Sequence, residues 1–203
     1  MEHIAAIPTT YNDINFRSRL EARWAAFFDL LKWDWEYEPI DLPGWIPDFK
    51  LKGKHELLVE IKPYCIKNNS QYDDDYFYED DKSEWKSQIN KILKSKPQNN
   101  VLLLGNGFYE PEYATREKDY FLGSILYFPS DPDYFFEHVY ITWSSPYCIA
   151  SDPEQVAANS FSYSPSIRSV MTTFPKLPLE QMYKFWKEAG NIVQWKKPKI
   201  DKI

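Results

Sequence analysis

The sequence predicts a mixed α/β (α+β) protein: a central mixed sheet flanked by helices, with a C-terminal extension. Three observations predict it. Apolar residues recur at helical spacing over residues 16–32, three strand-like runs then follow one another through residue 62, and a second helical pattern leads into a continuous apolar run at 99–105. The order is helix, three strands, helix, strand, or αβββαβ. At 203 residues one domain is expected, with 14–105 as its core and 106–203 as strands and helices added to it.

Residues 1–13 read as an irregular lead-in, and Asn12, Asp13 and Asn15 each suit a helix N-cap. Phe16, Leu20, Trp24, Phe27 and Leu31 then form one apolar stripe. At about 100° per residue, Glu21 falls at the edge of that stripe, with Arg17 four residues earlier on the same edge. One reading is an exposed Arg–Glu pair worth a few tenths of a kcal/mol. The other is a ligand for a metal ion or a water.

Residues 33–40 (WDWEYEPI) alternate as a first strand, with Trp33, Trp35 and Tyr37 on one face. Pro39, Pro43 and Gly44 turn the chain into a hairpin, Trp45–Leu51 and Glu56–Lys62, around the polar turn 52–55. In its second strand Leu57, Val59 and Ile61 point into a core, so Glu60 and Lys62 share the opposite face. Charges on a buried strand are costly unless paired or metal-bound. Asp48, after Pro47 on the neighbouring strand, reaches the same place. The Asp48 and Glu60 carboxylates form a hard-oxygen pair suited to Mg²⁺ or Mn²⁺.

The pattern Pro47-Asp48, eleven residues, then Glu60-Ile61-Lys62 resembles the PD-(D/E)XK nuclease superfamily, whose core is the restriction-endonuclease-like fold. The preceding helix with Glu21 resembles that superfamily's first helix, which often carries a further acidic residue of the site. The resemblance implies a Mg²⁺- or Mn²⁺-dependent nuclease hydrolysing phosphodiester bonds, of DNA in the first instance and of RNA as an alternative. It implies Asp48, Glu60 and the Ile61 carbonyl as metal ligands, with Glu21 holding a water or second ion. It gives Lys62 the attacking water or the developing charge, and Gln88, on the helix after the Glu-x-Lys strand, an approach to the phosphate. Arg17, Arg19 and Arg23 are candidates for substrate backbone contact. Superfamily nucleases often pair to cut both strands, so a homodimer is a further expectation. The alternative is a catalytically silent, nuclease-like module that binds nucleic acid or protein.

Residues 65–82 are polar, with Asp73–Asp75 and Glu79–Asp81 more readily a solvated acidic loop than a calcium site. Residues 83–96 form a helix with Trp85, Ile89, Ile92 and Leu93 on its apolar face, and 99–105 a strand buried on both faces. Runs 121–128 and 137–143 are strand-like and extend the sheet. Ser151–Glu154 looks like a helix start, 160–177 is ambiguous, and Leu179–Ala189 is a helix stopped by Gly190. Lys196, Lys197, Lys199 and Lys202 make a basic tail, solvated or in contact with phosphate.

The net charge of −6 argues against binding nucleic acid by bulk charge. The three histidines lie far apart without zinc spacing, and no phosphate-loop, dinucleotide or Ser-nucleophile motif is present. Two cysteines fit a reducing compartment, and no run is long enough to span a bilayer. A cytoplasmic protein without membrane contact is expected.

Overall fold

The computed structural model describes residues 6–53, 56–64, 84–108, 121–126, 128, 136–142, 148–151, 162–163 and 177–194. Asn12 and Asp13, expected as caps, instead turn a hairpin between β1 (Thr9–Tyr11) and β2 (Ile14–Phe16). Both have positive φ, 47° and 61°. That geometry matches the right-handed twist of two antiparallel strands, and Asn and Asp tolerate it. Asn15 lies in β2. The cap is Ser18, whose hydroxyl accepts the Glu21 N–H at 3.1 Å.

Helix α1 (Arg19–Leu30) buries Trp24, Phe27 and Phe28. It stops at Lys32, which adopts φ 59° while the Lys32 and Trp33 N–H groups bond back to Asp29 and Phe28. This is a Schellman closure with lysine where glycine is usual. Strand β3 (Asp34–Tyr37) is shorter than the alternation suggested, because Glu38 turns left-handed at φ 45°. Trp35 and Tyr37 pack against the core that contains Trp33.

Strand β4 covers Phe49–Lys52 rather than starting at Trp45. Pro47 lacks a ladder donor, and Trp45 is instead exchanged with Leu42 across a tight turn at Gly44, φ 77°. Strand β5 (Leu57–Ile61) is buried throughout. β3, β4 and β5 are antiparallel in sequence order. Helix α2 (Glu84–Ser95) then lies in the crossover to β6 (Val101–Leu104), parallel to β5. Parallel neighbours require such a crossover.

From β6 the sheet continues antiparallel through β7 (Gly123–Leu126), β8 (Phe136–Thr142), β9 (Cys148–Ser151) and β10 (Ser162–Tyr163). Among the described residues it has eight strands in the order β10-β9-β8-β7-β6-β5-β4-β3. Ser151, expected to open a helix, closes β9; residues 152–154 lie outside the described residues. So do the acidic run 73–81, His55, Cys65 and the lysine tail.

The sheet divides two cores. On one face Leu57, Val59 and Ile61 pack with α1 and with α3 (Leu179–Ile192). On the other, Leu58, Val101 and Leu103 pack with Trp45, Trp85 and Ile92. Helix α3 runs past Gly190 instead of stopping there. A Cβ at Gly190 would lie 3.1 Å from the Arg23 guanidinium, so this glycine admits a close neighbour. Arg23 stacks 3.8 Å from the Trp186 ring and donates to its carbonyl at 2.8 and 3.1 Å. Arg23, a candidate for substrate contact, joins the two helices here.

Candidate functional site

The alternation of β5 sends Glu60 to the face opposite Ile61, beside Leu58 and Trp45. One residue before β4, Asp48 continues the pairing of Phe49 with Val59 and comes opposite Glu60. Both carboxylates are 2% exposed. Such groups need partners, and each oxygen has one. Asp48 Oδ2 accepts the Ile61 N–H at 2.6 Å, and Oδ1 accepts Arg17 Nη2 at 2.6 Å. Glu60 Oε2 accepts the Trp45 indole N–H at 2.7 Å, and Oε1 is ion-paired with the Lys62 ammonium. Lys62 also donates to the Ile61 carbonyl at 3.2 Å.

Arg17 sits between β2 and Ser18. Besides Asp48, its guanidinium meets Glu38 at 2.9 Å and Glu21 at 3.9 Å. Glu21 is otherwise occupied: Ser18 Oγ donates to its Oε1 at 2.8 Å and Tyr37 to its Oε2 at 2.6 Å. Ser18-x-x-Glu21 has the capping-box sequence, but Glu21 accepts from the Ser18 hydroxyl and not from its backbone N–H. The arrangement therefore brings Asp48, Glu60, Lys62 and the Ile61 carbonyl together. It links Glu21 to them through Arg17 and Tyr37 and by its charge on Asp48.

Among the described residues, no three His, Cys, Asp or Glu side chains gather as a group able to hold a metal ion. Glu21, expected beside Asp48 and Glu60, has its two carboxylate oxygens engaged by Ser18 and Tyr37 and acts on Asp48 through its charge. No hydrogen bond links Gln88 to the pair; its Nε2 and the Trp85 Nε1 are buried without partners on α2. Trp45, Tyr37 and Glu38 are site residues that the motif did not single out. An indole three residues before Asp48 was the available hint for the first.

Burial, followed by repulsion from Glu60, pushes the Asp48 carboxyl up to about 7, against the pull of Lys62 and the Ile61 N–H. Burial disfavours the Lys62 ammonium, but Asp48 and Glu60 outweigh it and hold its pKa above the ordinary lysine value. Burial and the bond to Glu21 push the Tyr37 phenol up to about 12, so it remains a donor.

Two buried carboxylates and a carbonyl are oxygen donors of the kind a hard divalent cation takes, and each of these oxygens already has an internal donor that an ion would have to replace. A cleft of about 570 Å³ lies against β3 and shares Tyr37 with the site. Its Asp29 is bound by Tyr11, Asn12 and Trp35 at 2.7–3.1 Å and is structural.

Fold and site together define a mixed α/β protein with a buried acidic pair at one end of adjacent strands. No protein-family model, curated protein or solved structure matches the chain. No helix among the described residues is long and apolar enough to cross a membrane.

Proposed function

We propose that the protein is a divalent-cation-dependent nuclease of the PD-(D/E)XK type, acting on nucleic acid and on DNA in the first instance. Its restriction-endonuclease-like core would be residues 14–105, and 106–203 an extension of the same domain. The observation that carries the reading is Asp48 beside Glu60, with Lys62 ion-paired to Glu60, at the ends of β4 and β5. The order α1-β3-β4-β5-α2-β6, with β6 parallel to β5, supports it.

Asp48, Glu60 and the Ile61 carbonyl would hold Mg²⁺ or Mn²⁺. An ion there supplies Lewis acidity to a phosphate and a water of lowered pKa. The protein's own groups prepare the place. The Trp45 indole fixes Glu60, and the Ile61 N–H fixes Asp48. Lys62 stays protonated and offers a preorganised cation to charge developing on phosphate oxygens. Gln88 Nε2 is buried on α2 without a partner, so it would meet a phosphate only if its side chain turned outward. With an overall charge of −6, phosphate contact has to be local.

Plasmid and oligonucleotide cleavage with Mg²⁺ or Mn²⁺ tests the reading. Asp48→Ala and Lys62→Ala are each expected to lower cleavage by about 100-fold or more. Activity surviving both substitutions removes the mechanism. One observation favours a catalytically silent binding module: every oxygen of the acidic pair is already matched by an internal donor. Calorimetry without any Mn²⁺ heat at low-millimolar concentration would support that second reading.

A further inference from the structure

We infer that Arg17 is a built-in counter-cation of the acidic pair, which a divalent ion must displace from Asp48 in order to bind. The inference rests on the metal-binding reading above and adds a competition inside the site. Arg17 is anchored at its backbone, between buried Phe16 and the cap Ser18, with its N–H donated to the Tyr37 hydroxyl at 3.1 Å. Its side chain is different. It is 54% exposed, whereas the Asp48 side chain that its Nη2 touches is 2% exposed. The guanidinium thus reaches a buried carboxylate from solvent, and it can withdraw without opening either core.

A second place for it exists. Nε already meets Glu38 Oε1 at 2.9 Å, and Glu21 Oε2 lies at 3.9 Å. Glu38 holds φ 45°, a left-handed conformation that side-chain-bearing residues adopt at a cost. Its N–H is bonded to the Asp48 carbonyl at 3.0 Å, which places this strained residue directly beside the site. Guanidinium released from Asp48 remains paired there.

Charge balance gives the direction. Asp48 and Glu60 are matched one for one by Arg17 and Lys62. Adding a doubly charged ion with Arg17 still on Asp48 would leave two positive charges in excess; freeing Nη2 from Asp48, with Nε kept on Glu38 at 2.9 Å, lowers that excess to one. Arg17 is therefore a positioning residue: it keeps Asp48 paired while no ion is present and weakens ion binding by the strength of its own bond.

Mn²⁺ titration of the full chain by calorimetry tests this, with wild type, Arg17→Gln and Glu38→Gln compared. Arg17→Gln is expected to bind Mn²⁺ about tenfold tighter or more, the scale of one charge-assisted hydrogen bond. In EDTA the same variant melts below wild type, and Mn²⁺ restores the difference. Glu38→Gln removes the second place and weakens binding. Equal or weaker affinity in Arg17→Gln, with wild-type circular dichroism, overturns the inference while leaving the metal reading intact. If Arg17→Gln does not fold, Glu38→Gln decides: unchanged or tighter binding overturns it. Wild type and both variants all failing to bind Mn²⁺ ends the metal reading and this inference together.

Discussion

The Trp45 indole N–H donates to Glu60 Oε2 at 2.7 Å, and both residues are 2% exposed. The bond ties the loop ahead of β4 to the middle of the acidic pair. Its geometry depends on the turn before it, where Leu42 and Trp45 exchange two backbone bonds of 3.0 Å across Gly44. An indole is suited to this place: it fills the second core with its ring and presents a single donor to a buried carboxylate.

Trp45→Phe keeps most of the ring and deletes the donor. Glu60 Oε2 is then buried without its partner, and unfolding in urea is expected to show a loss of about 1–3 kcal/mol. Trp45→Ala also opens a cavity and loses about 3–5 kcal/mol. Wild-type stability in Trp45→Phe would mean that the indole bond is not needed to bury Glu60.

The Asp48 carboxyl titrates at about 7 in the fold, against an ordinary value of 3.8. The folded state therefore binds this proton more tightly than the unfolded chain does. The stability linked to it is complete below about pH 4 and is lost as pH rises through about 7. Asparagine cannot ionise, so Asp48→Asn is expected to flatten the fall in melting temperature between those limits. Parallel melting curves from pH 4 to 8 read it out. Two profiles of the same slope would place the titration elsewhere.

How much of this was legible depends on the kind of signal. The αβββαβ order and the two faces of β5 could be read because periodicity reports directly which side chains are buried. The β1–β2 hairpin was missed because Asn and Asp serve equally as helix caps and as left-handed turn residues. Gly190 was misread as a helix stop because its neighbour Arg23 lies 167 positions earlier in the chain, and such contacts leave no local trace. The site divides in the same way. Glu60 follows from the alternation of β5, and Asp48 and Lys62 from their places at the strand ends beside it. The Arg17 network needs three elements to meet, and no spacing in the sequence announces that.

Gly123 tests the junction where the sheet is extended past β6. A Cβ there would stand 2.3 Å from the Leu103 carbonyl and 2.8 Å from Leu104 Cδ2. The first contact is with backbone in a buried strand, which cannot swing aside. Gly123→Ala is expected to cost about 3 kcal/mol or more, at the upper end of overpacking effects. Urea unfolding or loss of soluble protein would show it. Near-wild-type stability would mean that β6 and β7 do not lie at this register.

Lys62 and Asp48 are expected to be energetically coupled even though the ammonium is ion-paired to Glu60. Lys62 lowers the Asp48 pKa, and Asp48 in turn raises that of Lys62. Lys62→Met leaves Glu60 Oε1 and the Ile61 carbonyl without this donor. With the side chain 27% exposed, solvent recovers part of the loss, and about 1–3 kcal/mol is expected. The cost should depend on pH. At pH 5 Asp48 carries its proton and repels Glu60 little. At pH 8 it is ionised, and two buried carboxylates face each other without the ammonium. Lys62→Met is therefore more destabilising at pH 8 than at pH 5, and Asp48→Asn in the same chain removes that difference. A double-mutant cycle at both pH values measures the coupling. A cost independent of pH, or unchanged by Asp48→Asn, would show that Lys62 serves Glu60 alone and that the acidic pair does not behave as one electrostatic unit.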